Sequence, residues 1–355
     1  MTTDNSFRNL RHLYTLDMFR ILSAFFVFLY HSNSLVDYGI CEPFISVSAI
    51  FMDAFFLLSG FSLYYGYQSK KIESCSEILS FYKKRVIKLY PAYLVVYITW
   101  FIIHQLILKD YPLYKTIFIA PVETLLLQCF FPKSESIIHN TGSWFVSVIF
   151  FCYLLFPLVR KIVHGLLKKQ TIGLWILLYF LCSGMPFFSY GFSTDAMYFN
   201  PFFRFLEFLM GVLIGHYFQI KNEIKVDNSK NHIILVISGI ILFSLVTTYV
   251  KLNLNYCMYL AFCFITLPLF SLQILLLAKD EHESTILKTK TVQFASKISY
   301  EFFLAQHFCF EPVRYLSNKI LNNSGGGVQL FSIFIMFFKL YIDSISNSLI
   351  STFTF

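Results

Sequence analysis

The chain of 355 residues contains 57% hydrophobic and 20% aromatic residues but only 14% charged residues, and its mean hydropathy is +0.63. A soluble globular chain contains about 25% charged residues, so this composition excludes an ordinary soluble domain. The formal net charge of +8 is also found in nucleic-acid-binding proteins, but here the Lys and Arg residues stand in short clusters between apolar runs. That distribution is typical of a membrane protein, and we expect a lipid bilayer and no nucleic acid among the partners.

Long apolar runs predict the membrane spans. Each is about as long as the ~20 residues that cross a bilayer core, and in lipid such runs must be helical because every backbone polar group needs an internal partner. The polar segment 1–14 does not resemble a cleaved signal peptide. We predict an all-α, polytopic membrane helix bundle that forms one domain over 1–355, with a short cytoplasmic N-terminus and no extracytoplasmic domain. The ten predicted spans are 15–36, 44–67, 90–108, 144–163, 171–188, 201–219, 233–250, 256–278, 294–316 and 328–350.

The basic residues between the spans predict the topology. The N-terminal segment and the alternate loops on its side of the membrane carry 19 Lys and Arg residues, and the loops on the opposite side carry 5. Because cytoplasmic loops are the ones enriched in Lys and Arg, this distribution predicts that both termini are cytoplasmic. The apolar stretch 117–131 is only about 15 residues long and contains Pro121 and Glu123. We therefore interpret 109–143 as one external loop with a helix that dips into the membrane.

The first predicted span places two ionisable residues on one helical face. Arg20 and His31 are eleven residues apart, which is three helical turns plus about 20°, and about 16 Å along the axis. From the spacing alone, two interpretations stay open: Arg20 reaches the cytoplasmic surface and His31 is a satisfied helix-end histidine, or the pair serves a function. The other ionisable residues inside predicted spans are Asp17, Asp53, Arg204, Glu207, Glu301, His307, Glu311 and Arg314.

Two further groups of charges have two interpretations each. Arg204 and Glu207 are three residues apart and are predicted to pair on one face of the sixth span, either as a structural ion pair or as part of a functional site. Arg85 and Lys88 belong to a basic segment before the third span. That segment either anchors the helix to anionic lipid or holds the phosphates of a cytoplasmic ligand.

Six blocks of the sequence, taken together, carry a resemblance. They are LDMFRILSAFFVFLYHS (16–32), FMDAFFLLSGFSLYY (51–65), FYKKRVIKLYPAYLV (81–95), SWFVSVIFFCYLLFPL (143–158), RFLEFLMGVLIG (204–215) and SKISYEFFLAQHF (296–308). In this order they resemble the membrane-bound acyltransferase 3 family over nearly the whole chain. The resemblance implies transfer of an acyl group, usually acetyl, from cytoplasmic acyl-CoA to a hydroxyl of a surface or lipid-linked glycan. It also implies a multi-pass protein of a bacterial plasma or inner membrane.

The resemblance assigns family positions to residues of this chain. The functional interpretation of the first-span pair is favoured, because the family's Arg-x10-His signature falls on it. The matched positions are Arg20 and His31 (Arg-x10-His), Arg85 and Lys88 (Arg-x-x-Arg), and Ser59 (Ser-Gly-Phe), which Asp53 precedes.

Three positions depart from the family pattern. Lys88 stands where the family has Arg, which keeps the charge but loses the bidentate fork. The fourth span has Val148 and Ile149 where many members carry an acidic residue. In the ninth span, Gln306 occupies the position of the family's usual His, and His307 follows it. One residue along a helix turns a side chain by about 100°, so the resemblance does not by itself assign the role of that His to His307, which stays a candidate.

The resulting hypothesis is acyl transfer to an alcohol, which needs a base for the hydroxyl proton. His31 is the predicted base, Asp53 is predicted to orient it, and Arg20, Arg85 and Lys88 are predicted to hold the phosphates of CoA. Neither a metal ion nor a permanently bound cofactor is predicted; acyl-CoA enters as the donor substrate. A transporter or glycan flippase remains an alternative because buried charges also mark translocation paths, and a non-catalytic membrane scaffold is a second alternative.

Overall fold

A computed structural model describes residues 11–33, 37–68, 70, 72–102, 105, 112–131, 138, 140–188, 198–221, 228–251, 258–280, 285–306 and 310. This part of the chain is helical and contains no strand, as the composition predicts. The helices are α1 (Tyr14–Ser32), α2 (Glu42–Ile45), α3 (Phe51–Tyr67), α4 (Cys75–Phe101), α5 (Leu113–Thr124), α6 (Trp144–His164), α7 (Lys168–Phe188), α8 (Pro201–Lys221), α9 (Asn228–Lys251), α10 (Met258–Lys279), α11 (Lys290–Lys297) and α12 (299–306).

The first eight predicted spans each overlap at least one of these helices. Two helical stretches, Gly39–Tyr67 and Trp144–His164, combine the length and the hydropathy of a membrane span. Helix α5 has 12 residues and is too short to cross a bilayer by itself. The tenth predicted span, 328–350, lies outside the described residues. The count of ten spans and the cytoplasmic placement of both termini stay predictions.

Two predicted boundaries change in the structure. The second predicted span begins at 44, but the continuous helix α3 begins at Phe51, after short helical turns over 39–50. Helix α4 begins at Cys75, fifteen residues before the predicted start of the third span at 90. The side chains of Ser74 and Glu77 form a capping box there, which satisfies backbone N–H groups at the helix N-terminus. The basic segment with Arg85 is therefore part of one long helix.

Helix α3 lies at the centre of the bundle. It contacts α1, α8 and α10, and most of its residues are buried. Apolar side chains surround the helix on all sides, as expected for a helix packed within a bundle rather than on its surface. Because α3 carries both Ser59 and Asp53, it joins the two polar sites described below.

The crossing of α3 and α8 is the most extensive helix contact, and glycines bring the two backbones together. A Cβ atom added at Gly60 would lie 2.0 Å from the carbonyl oxygen of Phe208, and one at Gly211 would lie 2.0 Å from that of Leu57. Gly211 and Gly215 form a Gly-x-x-x-Gly spacing, which favours close helix approach in membranes. The Ser-Gly-Phe element therefore contains one of the residues on which this crossing depends.

Two arginines that also contribute to the predicted topology cap helix C-termini. The Arg11 guanidinium donates to the carbonyl oxygens of Ala278 and Asp280, 3.0 and 2.8 Å away at the end of α10. Arg160 Nε donates to the carbonyl oxygen of Tyr67 over 3.1 Å, and its Nη2 donates to the carbonyl oxygen of Lys70, just after the end of α3. Positive charge at a helix C-terminus is favourable because it opposes the helix dipole.

Candidate functional site

A cavity of about 600 Å³ lies among α1, α3, α4, α6, α11 and α12. Among the residues that the structure describes, six Lys and Arg side chains line it and Asp17 is the single carboxylate in the lining. The sequence predicts three of these cations as phosphate ligands, and the structure brings all three to this cavity. The lining cations are Arg20, Lys70, Lys84, Arg85, Lys88 and Lys297.

Arg20 is held in place by hydrogen bonds from three helices. Its Nη1 lies 3.3 Å from Asp17 Oδ1 and 3.2 Å from Ser296 Oγ, and its Nη2 lies 3.3 Å from Ser62 Oγ. Asp17 also accepts a hydrogen bond from Ser296 over 2.7 Å, and its second oxygen lies 2.5 Å from His12 Nε2. These contacts fix the direction of the guanidinium at the wall of the cavity.

Arg85 is surrounded by aromatic side chains. Its guanidinium carbon lies 5.3, 5.4 and 5.6 Å from the ring centres of Tyr67, Phe81 and Tyr153, and Nη2 donates to the Tyr67 hydroxyl over 3.0 Å. Its Nε is buried and has no hydrogen-bond partner among the residues that the structure describes. Within the described ranges, no carboxylate lies within 4.0 Å of Arg85. The aromatic rings orient this cation but do not neutralise it.

Lys88 lies one helical turn after Arg85 and lines the same cavity. It precedes the predicted span 90–108. Its side chain lines the cavity while it keeps contact with solvent, and partial desolvation there, followed by the positive charges of Arg20 and Arg85, lowers the pKa of Lys88. A bound anion would relieve that repulsion, so the cluster favours a ligand that carries several negative charges.

Ser59 also lines the cavity, as do Ser62 on the same helix and Ser296 on α11.

The sequence did not predict the residues that hold Arg20. The spacing of Asp17 and Arg20, three residues apart on α1, is a signal that could have found one of them. Ser62 and Ser296 carry no such signal, because each meets Arg20 through packing between helices.

A second polar cluster, centred on Arg204, is fully buried. Arg204 Nη1 lies 2.7 Å from Asp53 Oδ1 and from Glu207 Oε1, which confirms the predicted pairing with Glu207. The second oxygen of Asp53 accepts from Thr266 over 2.6 Å. Arg204 Nε donates to the carbonyl oxygen of Tyr198 over 2.8 Å. None of these residues lines the cavity of about 600 Å³.

The cluster changes the interpretation of Asp53. The sequence predicts that Asp53 orients His31, whereas the structure engages each of its carboxylate oxygens with a donor from α8 or α10. Asp53, Glu207 and Cys263 offer metal-binding atoms within 4.8 Å of one another. The guanidinium of Arg204 stands among the two carboxylates, so a cation already occupies this position. The cluster joins α3, α8 and α10.

His31 and Gln306 lie away from the cavity lining. His31 is in the last turn of α1, half-buried, and about 16 Å along the axis from Arg20. Gln306 is fully buried at the end of α12, and neither atom of its amide has a hydrogen-bond partner in the described part of the chain. His307 lies outside the described residues. The structure thus brings the predicted phosphate ligands together without bringing His31 to the same cavity.

Comparison with known proteins identifies the family. The model of the acyltransferase 3 family, an acyltransferase domain, matches residues 13–342. The chain belongs to this family. An uncharacterized protein of Haemophilus influenzae is 28% identical over 209 residues, which cover 54% of this chain and 85% of the relative. No solved structure matches the chain. The matched range includes all helices from α1 to α12, so the cavity and the Arg204 cluster both lie in the acyltransferase domain.

Proposed function

We propose that this acyltransferase transfers an acetyl group from cytoplasmic acetyl-CoA to a hydroxyl of a surface or lipid-linked glycan. The observation that supports the proposal is the excess of positive charge in the cavity, whose described lining residues include six cations and one carboxylate. CoA carries several phosphate charges, and Arg and Lys are the residues that bind phosphate in proteins. The protein is proposed to act as a multi-pass protein of a bacterial plasma membrane.

The cations differ in what they offer to a ligand. Arg20 is already paired with Asp17, whereas neither Arg85 nor Lys88 has a carboxylate within 4.0 Å among the described residues, and Glu301 attracts Lys88 from farther away. The partly buried, unpaired guanidinium of Arg85 is therefore the strongest single attraction for a phosphate. The Ser59 and Ser62 hydroxyls line the wall between these cations and the apolar end of the cavity. The pantetheine arm would extend along this wall.

The proposed chemistry is an attack of the acceptor hydroxyl oxygen on the thioester carbonyl carbon. The C–O bond forms, the C–S bond breaks, and the proton of the hydroxyl passes to His31 and then to the departing CoA thiolate. His31 is the proposed base because imidazole titrates near neutral pH. Its position about 16 Å from Arg20 fits a donor whose phosphates and thioester lie at opposite ends of an extended molecule.

The proposal is tested by measuring how purified protein binds CoA, dephospho-CoA and pantetheine. Affinity should fall in that order as phosphates are lost, and high salt should weaken the binding of CoA most. Arg85→Ala should weaken CoA binding about tenfold, and Lys88→Arg should bind equally or better because the fork is restored. Lys83→Ala is the matched control, since Lys83 is an exposed cation on the same helix that does not line the cavity.

Two outcomes would contradict the proposal. Equal affinity for CoA and pantetheine would remove the phosphate role of the cavity. Equal effects of Arg85→Ala and Lys83→Ala would indicate a general attraction of the surface for anions. A flippase or transporter would leave the thioester intact, so release of the CoA thiol in the presence of glycan separates those functions from acyl transfer. The O-acetyl content of surface polysaccharide with and without the protein identifies the acceptor.

A further inference from the structure

Three phenylalanines close the end of the cavity that lies farthest from its cations. On α3, Phe55 is the lining residue farthest along the helix from Ser62 and Tyr67, which contact Arg20 and Arg85. On α6, Phe145 is the lining residue farthest from Tyr153, which contacts Arg85. On α12, Phe303 is the lining residue farthest from Ser296, which precedes this helix and contacts Arg20. The three helices therefore end the cavity with the same type of side chain. We call this set the aromatic closure.

The rings of the aromatic closure contact one another. The ring centres of Phe145 and Phe303 are 5.0 Å apart, those of Phe55 and Phe145 are 6.0 Å apart, and those of Phe55 and Phe303 are 6.4 Å apart. Each distance lies within the range of favourable aromatic pairs. All three residues are buried. Because the rings come from three different helices, they form a continuous apolar wall.

The wall faces the reactive end of the proposed donor. A CoA thioester whose phosphates contact Arg85 and Lys88 directs its acyl group away from these cations, toward the rings, and the acyl group has to pass the rings to reach His31, which does not line the cavity. An acyl chain longer than acetyl would have to displace a ring that is packed against two others, which is costly in a dense core. A charged acyl group such as malonyl or succinyl would lose its hydration against an apolar wall without a compensating partner.

We propose that Phe55, Phe145 and Phe303 select short, uncharged acyl groups in the donor thioester. The inference rests on the proposed function, and it adds the residues that determine which donor is used. A pocket discriminates by about tenfold or more for each methylene that it accepts or rejects. Removal of one ring should open space at the end of the cavity and extend the range of donors to longer chains.

The experiment compares acetyl-, butyryl- and hexanoyl-CoA with wild-type protein, Phe145→Ala and Phe303→Ala. Thioester cleavage is measured with a glycan acceptor, and binding is measured without one as the thermal shift produced by each donor. In the variants, the ratio of kcat/KM for hexanoyl-CoA to that for acetyl-CoA should rise at least about tenfold. Phe151→Ala is the matched control on α6, since Phe151 does not line the cavity. It should keep the wild-type ratio.

The result that overturns the inference is an unchanged ratio, within about twofold, in both Phe145→Ala and Phe303→Ala while acetyl-CoA is still used. If an alanine variant does not fold, Phe145→Leu and Phe303→Leu enlarge the same space by a smaller amount and should raise the ratio in the same direction. A wild-type protein that neither binds nor cleaves any of the three donors would instead contradict the proposed function. The two failures are therefore distinguishable.

Discussion

Arg204 on α8 and Asp53 on α3 form a buried ion pair, with Nη1 and Oδ1 2.7 Å apart, although the residues are separated by 151 positions in the chain. The same guanidinium contacts Glu207, and the ring of Tyr198 lies 4.5 Å from its central carbon. One cation therefore contacts two carboxyl groups in the interior of the bundle. Loss of Arg204 leaves carboxylate charge that the apolar surroundings do not solvate.

Arg204→Ala should destabilise the protein by about 3–5 kcal/mol, because it leaves Asp53 and Glu207 buried without their cation. Asp53→Asn should cost less, since it leaves one carboxylate for the guanidinium. Thermal stability and the yield of monodisperse protein in detergent measure both effects. Lys161→Ala, an exposed change on α6, is the control. An Arg204→Ala protein as stable as wild type would show that the cluster does not hold the helices together.

Gly211→Ala should separate α8 from α3, because the added Cβ would lie 2.0 Å from the carbonyl oxygen of Leu57. We expect a loss of about 1–3 kcal/mol or more in stability, as for overpacking of a dense core. The control is Gly173→Ala on α7, where an added Cβ meets no atom within 4 Å. That change should stabilise slightly, since alanine favours a helix over glycine. Loss of stability in both variants would contradict the prediction.

His31→Ala should abolish transfer to the glycan while CoA binding is retained, because His31 does not line the cation cavity. Arg20→Ala should weaken binding as well, and Arg20→Lys should keep part of it through the retained charge. Binding of CoA and formation of O-acetyl groups, measured on the same preparations, separate the two roles. Most of the activity retained in a well-folded His31→Ala protein would exclude His31 as the base.

Gln306→Met should lower activity without lowering stability. The Gln306 amide is fully buried and has no hydrogen-bond partner in the described ranges, so replacing it by an apolar side chain of similar length removes an unsatisfied polar group. A purely structural residue would therefore leave activity unchanged, and a substrate-binding residue would lose it. The helical period of the sequence predicts that Gln306→Ala and His307→Ala also differ from each other, since one residue along a helix turns a side chain by about 100°. Equal, mild effects would assign a packing role to α12.

Topology is tested by cysteine labelling in a background without native cysteines. A reagent that does not cross the membrane should reach a cysteine placed at Ser134 or Ser136 from outside, and it should fail to reach one at Ser229. The reason is the distribution of basic residues, 19 on one side and 5 on the other. If cysteines at positions 134 and 136 are labelled only from the cytoplasmic side, then 117–131 is a membrane span and the predicted number of spans is wrong.

The sequence by itself determined the properties that depend on short-range order. Low charge and long apolar runs predicted an all-helical chain, because a helix satisfies the hydrogen bonds of its backbone within one segment and lipid offers no other partner. The spacing of Arg204 and Glu207 predicted their contact, since three residues along a helix bring side chains to one face. Six blocks in order predicted the family, which the match over 13–342 confirms.

Tertiary structure alone decided which helices are in contact and which face of each helix makes the contact. Asp53 was predicted to serve His31, yet the structure pairs it with Arg204 and Thr266 on two other helices. The three rings of the aromatic closure come from α3, α6 and α12, and no spacing within one helix relates them. A helical period specifies the face on which a side chain lies, but the partner of that face depends on how helices pack across the bundle. For that reason the cation cavity and its apolar end became visible only in three dimensions.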